Sequence, residues 1–341
     1  MKSASSRTWN RWSALAGAAL WAALCFAARR AHLPFGPIEL MLLLAILVIV
    51  PLGLALLKQQ SPAGESSTLL PIFFQPIAAA FAVISFFLAP GRLAASFTLP
   101  WLAFAVLVAL PGWTRAFSRP SFPYIAFQFA RLNLLIAAAW LIASRAGWRP
   151  LGTQEPIVLL TAVHFHFTGF ATAILAGTVL ASHRGRARSS RWMAATAATI
   201  IFAPYLIAAG FVLSPLLKVV GVAALSLALF IFAGVQFTDA RSFLNPTARR
   251  FTRISSTFIF LGMALALMYS VGEFLQRDWL TIPRMASTHG LLNGAGFVLT
   301  GLLGWLIEIE ERESLRTHDT AADQFPFHTL PSADFHDCIR L

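Results

Sequence analysis

The chain has 341 residues, 57% of them apolar and 12% charged, and a mean hydropathy of +0.71. Soluble domains are about a quarter charged, so this composition excludes them and describes an integral membrane protein. The formal charge of +12 would suit nucleic acid, but the Lys and Arg residues fall in short loops between apolar runs, the pattern of a topology signal, and no nucleic-acid partner is expected.

Residues 1–11 are polar and basic and read as a cytoplasmic N-terminal segment. The first apolar run, 12–28, ends at Arg29 and Arg30 and holds Cys25. The paired arginines and the many later runs favour a retained anchor over a cleaved signal peptide. Cys25 and Cys338 cannot build a disulfide framework and read as a packing group and a tail thiol. The second run, 38–57, carries Glu39 at its edge, an interfacial position. The third, 72–88, opens with IFFQP, where Gln75-Pro76 is expected to break the helical ladder near the membrane boundary. The fourth, 94–110, is at the short end of what crosses about 30 Å of hydrocarbon.

The fifth run, 125–143, contains FQFARLN, which places Gln128, Arg131 and Asn133 among Leu, Ile, Ala and Trp. Arg131 either snorkels along its stem to the headgroups or is a working charge. The sixth run, 157–180, holds His164 and His166. The seventh and eighth, 193–213 and 216–237, are joined by Ser214-Pro215 and offer only Tyr205, Pro204 and small residues, so they read as scaffold. The ninth run, 254–275, ends near Glu273, and the tenth, 285–307, contains His289 and Asn293. Residues 308–341 read as a cytoplasmic tail, largely disordered beyond a short helical extension; His318, His328 and His336 belong to it and are set apart from the site.

These runs predict an all-α, polytopic transmembrane bundle of about ten spans over 12–307, with both termini cytoplasmic. Placing the N-terminus inside puts 17 of the 26 Lys and Arg residues in cytoplasmic segments, with the loops HRGRARSSR and RSFLNPTARRFTR the strongest contributors. The expected location is the inner (cytoplasmic) membrane, with membrane lipid as neighbour. The oligomeric state is not encoded in any pattern.

The intramembrane polar groups are the candidate site, because such groups face a protein interior by default. On this topology His164 lies about 10 Å, and Asn293 about 12 Å, from the outer starts of their runs. His289 and Asn293 share a helix face at i, i+4. His164 and His166 stand about 200° apart around an ideal helix, so one is expected in a cavity and the other against a neighbouring helix or carbonyl. The glycines Gly290 and Gly294, Gly169 and Gly177, and Gly296, Gly301 and Gly304 predict close packing of the sixth and tenth runs. The expected pocket lies in the outer half of the bilayer between the fifth, sixth, ninth and tenth runs.

The segments HFHFTGF (164–170), HGLLNGAGF (289–297) and QPIAAAFAVISFFLAPG (75–91) resemble the YndJ-like family of bacterial polytopic membrane proteins. The resemblance implies a multi-span protein with a histidine-bearing core and carries no activity with it.

Two functions compete. In the first, an intramembrane enzyme acts on an apolar or lipid-like small molecule: His164, His166 and His289 are catalytic acid–base groups, Glu273 orients an imidazole, and Arg131, Asn133 and Asn293 bind the substrate's polar part. No cofactor is required; two histidines and Glu273 would suit Zn or Fe, while bis-histidine haem ligation by His166 and His289 fits less well, their depths differing. In the second, a transporter or channel passes protons or a solute along the same residues. A scaffold whose polar core only fixes helix register is the non-catalytic alternative.

Overall fold

The computed structural model describes residues 2–30, 33, 35–60, 69–111, 121–183 and 187–323. Among these there is no strand. The helices are α1 (Lys2–Arg30), α2 (Pro37–Gln60), α3 (Leu69–Ser85), α4 (Arg92–Ala109) and α5 (Phe122–Ala146). They continue with α6 (Ile157–Ser182), α7 (Ala187–Leu213), α8 (Pro215–Asp239), α9 (Pro246–Phe274) and α10 (Ile282–Arg316). Nine are long and apolar enough to cross a membrane; α3, with 17 residues, rises only about 25 Å and is the tenth, shorter member. The protein is an all-α, multi-pass membrane protein.

Local chemistry sets the helix ends. Pro215 opens α8 at its first turn, where a missing N–H costs nothing. Asn245 caps α9 by accepting from the Thr247 and Ala248 amides at 2.9 and 3.2 Å. Gly147 closes α5 in the left-handed conformation (φ 71°). Helix α10 turns sharply at Thr288 (φ −105°, ψ −71°) and stays helical to Asp323, well past residue 307. Residues 324–341, with His328, His336 and Cys338, lie outside the described residues.

Helix α2 is the most fully enclosed of the candidate spans. Its run is apolar on every face, so no side turns it toward polar solvent, and α1, α3, α6 and α10 pack around it. Three helices, α2, α6 and α10, each contain a π-helical segment: Ala45–Ile49, Phe165–Thr172 and Leu292–Leu299. The three segments pack on one another at the centre of the bundle. A carbonyl of each accepts a hydrogen bond from another helix: Ile46 from Gln75 (3.1 Å), Gly169 from Asn133 (3.0 Å) and Phe297 from Ser255 (2.8 Å). Backbone that departs from the α ladder inside hydrocarbon persists only when such donors are supplied.

Two expectations about backbone are corrected here. The ladder does not break at Gln75-Pro76; α3 runs through Pro76, and the Ile72 carbonyl that Pro76 cannot serve accepts instead from the Trp9 indole N–H at 3.2 Å. The glycines do not chiefly join α6 to α10. A Cβ on Gly169 or Gly177 would meet Asn133 or Phe127 of α5, and one on Gly296 or Gly304 would meet Phe258 or Thr252 of α9. Only Gly294, against Phe167, and Gly301, against Leu175, serve the α6–α10 contact.

At one end of the bundle Arg11 of α1 forms an ion pair with Glu310 of α10. At the same end the buried Glu308 carboxylate accepts from the Leu244 and Asn245 amides (3.1 and 3.2 Å) and from Arg312 (2.7 Å). The first and last helices therefore share that end, and the cavity described next occupies the opposite one.

Candidate functional site

A cavity of about 160 Å³ is lined by α2, α6, α7, α8, α9 and α10. Its wall is mainly Ile, Leu, Val, Met and Phe, interrupted by His164, Lys218, Tyr269, His289 and Asn293 and by the hydroxyls of Thr168, Thr172 and Ser270. Helix α5, expected to form a wall, contributes no lining residue, whereas α7 and α8, expected to be scaffold, contribute Ile207, Phe211, Lys218, Val222, Leu225 and Leu229.

The two histidines of α6 part company. The His164 Nδ1–H donates to its own helix at the Leu160 carbonyl, 2.8 Å away, which leaves Nε2 as the ring's acceptor. The ring is exposed, and what it is exposed to is the cavity. His166 is fully buried on the other side of the helix. Its Nδ1–H donates to the Ala162 carbonyl (2.8 Å) and its Nε2 accepts from the Trp101 indole N–H (3.2 Å), with the two rings stacked at 5.9 Å. Both nitrogens of a neutral imidazole are thereby used. His166 is a satisfied packing group and is not part of the cavity; the haem pairing with His289 has no geometry to support it.

His289 and Asn293 meet as their spacing predicts. The His289 Nδ1–H donates to the Gly262 carbonyl of α9 at 2.8 Å, and Nε2 accepts from the Asn293 amide at 3.2 Å. The bare Cα of Gly262 makes room for this amide: a Cβ there would overlap Asn293 Oδ1. That oxygen is buried and has no hydrogen-bond partner.

Glu273 forms an ion pair with Lys218 and a hydrogen bond with Tyr269. The lysine side chain is 3% exposed and the glutamate 39%, so the pair reaches from the cavity wall to its rim. The ammonium also lies 4.2 Å from the Phe211 ring centroid and 5.9 Å from that of Tyr269. Gly210 admits the Lys218 backbone, since a Cβ at Gly210 would strike it, and this tight α7–α8 crossing aims the side chain inward.

The remaining expected site residues lie elsewhere. Arg131 donates to the Pro111 carbonyl (3.2 Å); its stem runs back toward the α4–α5 connection, as in snorkelling. Asn133 is fully buried, donates to Gly169 and accepts from the Tyr205 hydroxyl, so it holds the π segment of α6. Of the seven candidates, His164, His289 and Asn293 share the cavity, Glu273 joins it through Lys218, and His166, Arg131 and Asn133 do not enter. Lys218 was missed because a lysine one turn past Ser214-Pro215 has the ordinary appearance of an interfacial cation. Among the described residues no three His, Cys, Asp or Glu side chains converge in a way that could hold a metal ion, and His164 and His289 have no carboxylate between them.

Comparison with known sequences adds the family. The profile of the family described as YndJ-like protein matches residues 40–297, a stretch that contains His164, Lys218, Glu273, His289 and Asn293. A relative from Bacillus subtilis (strain 168), named "Uncharacterized membrane protein YndJ", is 31% identical over 277 residues, which are 79% of this chain and 48% of the relative. The chain thus spans about half the length of the curated relative it matches. No solved structure matches it.

Proposed function

The chain belongs to the YndJ-like protein family, and from that premise we propose that it is an intramembrane enzyme performing acid–base chemistry on an apolar or lipid-like molecule held in the histidine-bearing cavity. The observation that carries the reading is His164: its imidazole is fixed through Nδ1 and turns an unoccupied Nε2 acceptor into an apolar chamber. Imidazole is the side chain suited to moving a proton near neutral pH. The His289–Asn293 pair supplies a hydrogen-bonding wall opposite an otherwise apolar lining, the composition of a small-molecule site.

The excess of Lys and Arg in alternate loops supports a cytoplasmic membrane with the Arg11–Glu310 end inside and the cavity in the outer half of the bilayer. Lipid extracts of cells producing the wild-type protein or His164→Ala test the proposal. A lipid class converted only by the wild type supports it. Identical extracts, together with purified protein that carries no amphiphile, refute it. Unchanged amphiphile moved between leaflets by the wild type alone would turn the reading to transport.

A further inference from the structure

We infer that the cavity recognises an anionic amphiphile whose carboxylate or phosphate head takes the place of Glu273 on Lys218; this rests on the reading of the cavity as a site for a lipid-like molecule. The first support is the behaviour of Lys218. It lies one turn from the start of α8, where a lysine at a membrane boundary normally extends its ammonium to the headgroups. Instead its side chain is 3% exposed, and the ammonium points into the cavity wall beside Phe211 and Tyr269. A charge held in such a place has to stay paired.

The second support is that its partner is replaceable. Glu273 is on the rim and 39% exposed, so water can solvate the carboxylate once it leaves, while an incoming anion keeps the ammonium paired. A neutral head would leave the ion pair untouched and gain nothing from it.

The third support is shape. Along α8 the lining runs from Lys218 to Leu229, about 16 Å at the helical rise, so polar recognition lies at one end and an apolar channel below it. His164 is seven residues into α6 and Lys218 three into α8, which sets the histidine Cα roughly 6 Å further along its helix than the lysine Cα. The ring then stands beside the first chain atoms beneath the head. Helix α7 packs mainly on the π segment and the second half of α6, while the first half, Ile157–His164, packs mainly on α2 and α5, so the seam between α7 and that first half is less closely packed than the rest of the α6–α7 contact. A chain can enter sideways there.

Radiolabelled oleate and oleyl alcohol, which share a tail and differ in head charge, test the inference on the purified full chain in detergent. Wild type should bind oleate on the order of tenfold more tightly than the alcohol, the worth of one charge-assisted hydrogen bond. Lys218→Gln should erase that preference and leave alcohol binding intact, and Glu273→Gln should strengthen oleate binding; the second variant decides the matter if the first does not fold. Acetate should not displace oleate. Equal binding of the two by wild type, or no gain in Glu273→Gln, overturns the head assignment while the amphiphile cavity stands; displacement by acetate overturns the amphiphile, since the head alone would then suffice. Binding of neither overturns both.

Discussion

His164 and His166 should separate cleanly under mutation, because one supports the bundle and the other faces the cavity. His166→Ala leaves the fully buried Trp101 indole N–H without an acceptor, at about 1–3 kcal/mol, and opens a void in a packed interior that adds about 2 kcal/mol or more. The sum is roughly 3–5 kcal/mol. His166→Phe refills the volume and leaves only the unpaired indole, so about 1–3 kcal/mol should remain. His164→Ala removes a ring from a space that is already open and a bond to one carbonyl of its own helix, a change of less than about 1 kcal/mol. Thermal unfolding of the detergent-solubilised protein followed by tryptophan fluorescence checks this. At roughly 2 °C per kcal/mol for a chain of this size, His166→Ala should lower the midpoint by about 6–10 °C and His164→Ala by less than about 2 °C. Equal losses for the two alanine variants, or no loss in His166→Phe, would refute the division of roles.

Gly262→Ala should destabilise by about 1–3 kcal/mol through overpacking against Asn293, although Gly→Ala inside a helix ordinarily gains up to about 1 kcal/mol. Gly262→Ala with Asn293→Ala should recover most of that loss, and additive midpoints in the unfolding assay would count against the contact. Trp9→Phe should cost about 1 kcal/mol while Pro76 is present and little in a Pro76→Ala background, where the Ile72 carbonyl regains its helical partner; a double-mutant cycle on the same assay measures the coupling.

The spans were legible because a bilayer imposes length and apolarity on each segment independently of its neighbours. The divergence of His164 and His166 was legible for a similar reason, since angular spacing around a helix is local. The i, i+4 meeting of His289 with Asn293 follows from the same geometry. Partners across the bundle were not legible. Nothing near Asn133 says that its amide will find the Gly169 carbonyl 36 residues away, and nothing near Lys218 says that Gly210 will admit its backbone and turn it inward. The central position of α2 was hidden too: a run that is apolar all round looks the same whether lipid or protein surrounds it.

The π segments explain why polar residues in this membrane interior are poor guides to chemistry when read singly. Each segment needs a donor from another helix, and Gln75, Asn133 and Ser255 are occupied in that service. Subtracting them, and the self-satisfied His166, leaves a short inventory of charged, imidazole and carboxamide groups at the cavity: the His164 acceptor, the His289–Asn293 pair and the Lys218–Glu273 ion pair. A proton or ion path across the whole bundle would need titratable groups at successive depths, yet below this inventory the cavity lining carries only the Thr168 and Thr172 hydroxyls, the second donating to the Phe167 carbonyl, among apolar residues such as Leu229 and Val298. Charged, imidazole and carboxamide groups gathered at one end of a mainly apolar chamber match a molecule with one polar end, and the chemistry proposed for His164 would then act at the boundary between that molecule's head and its chain.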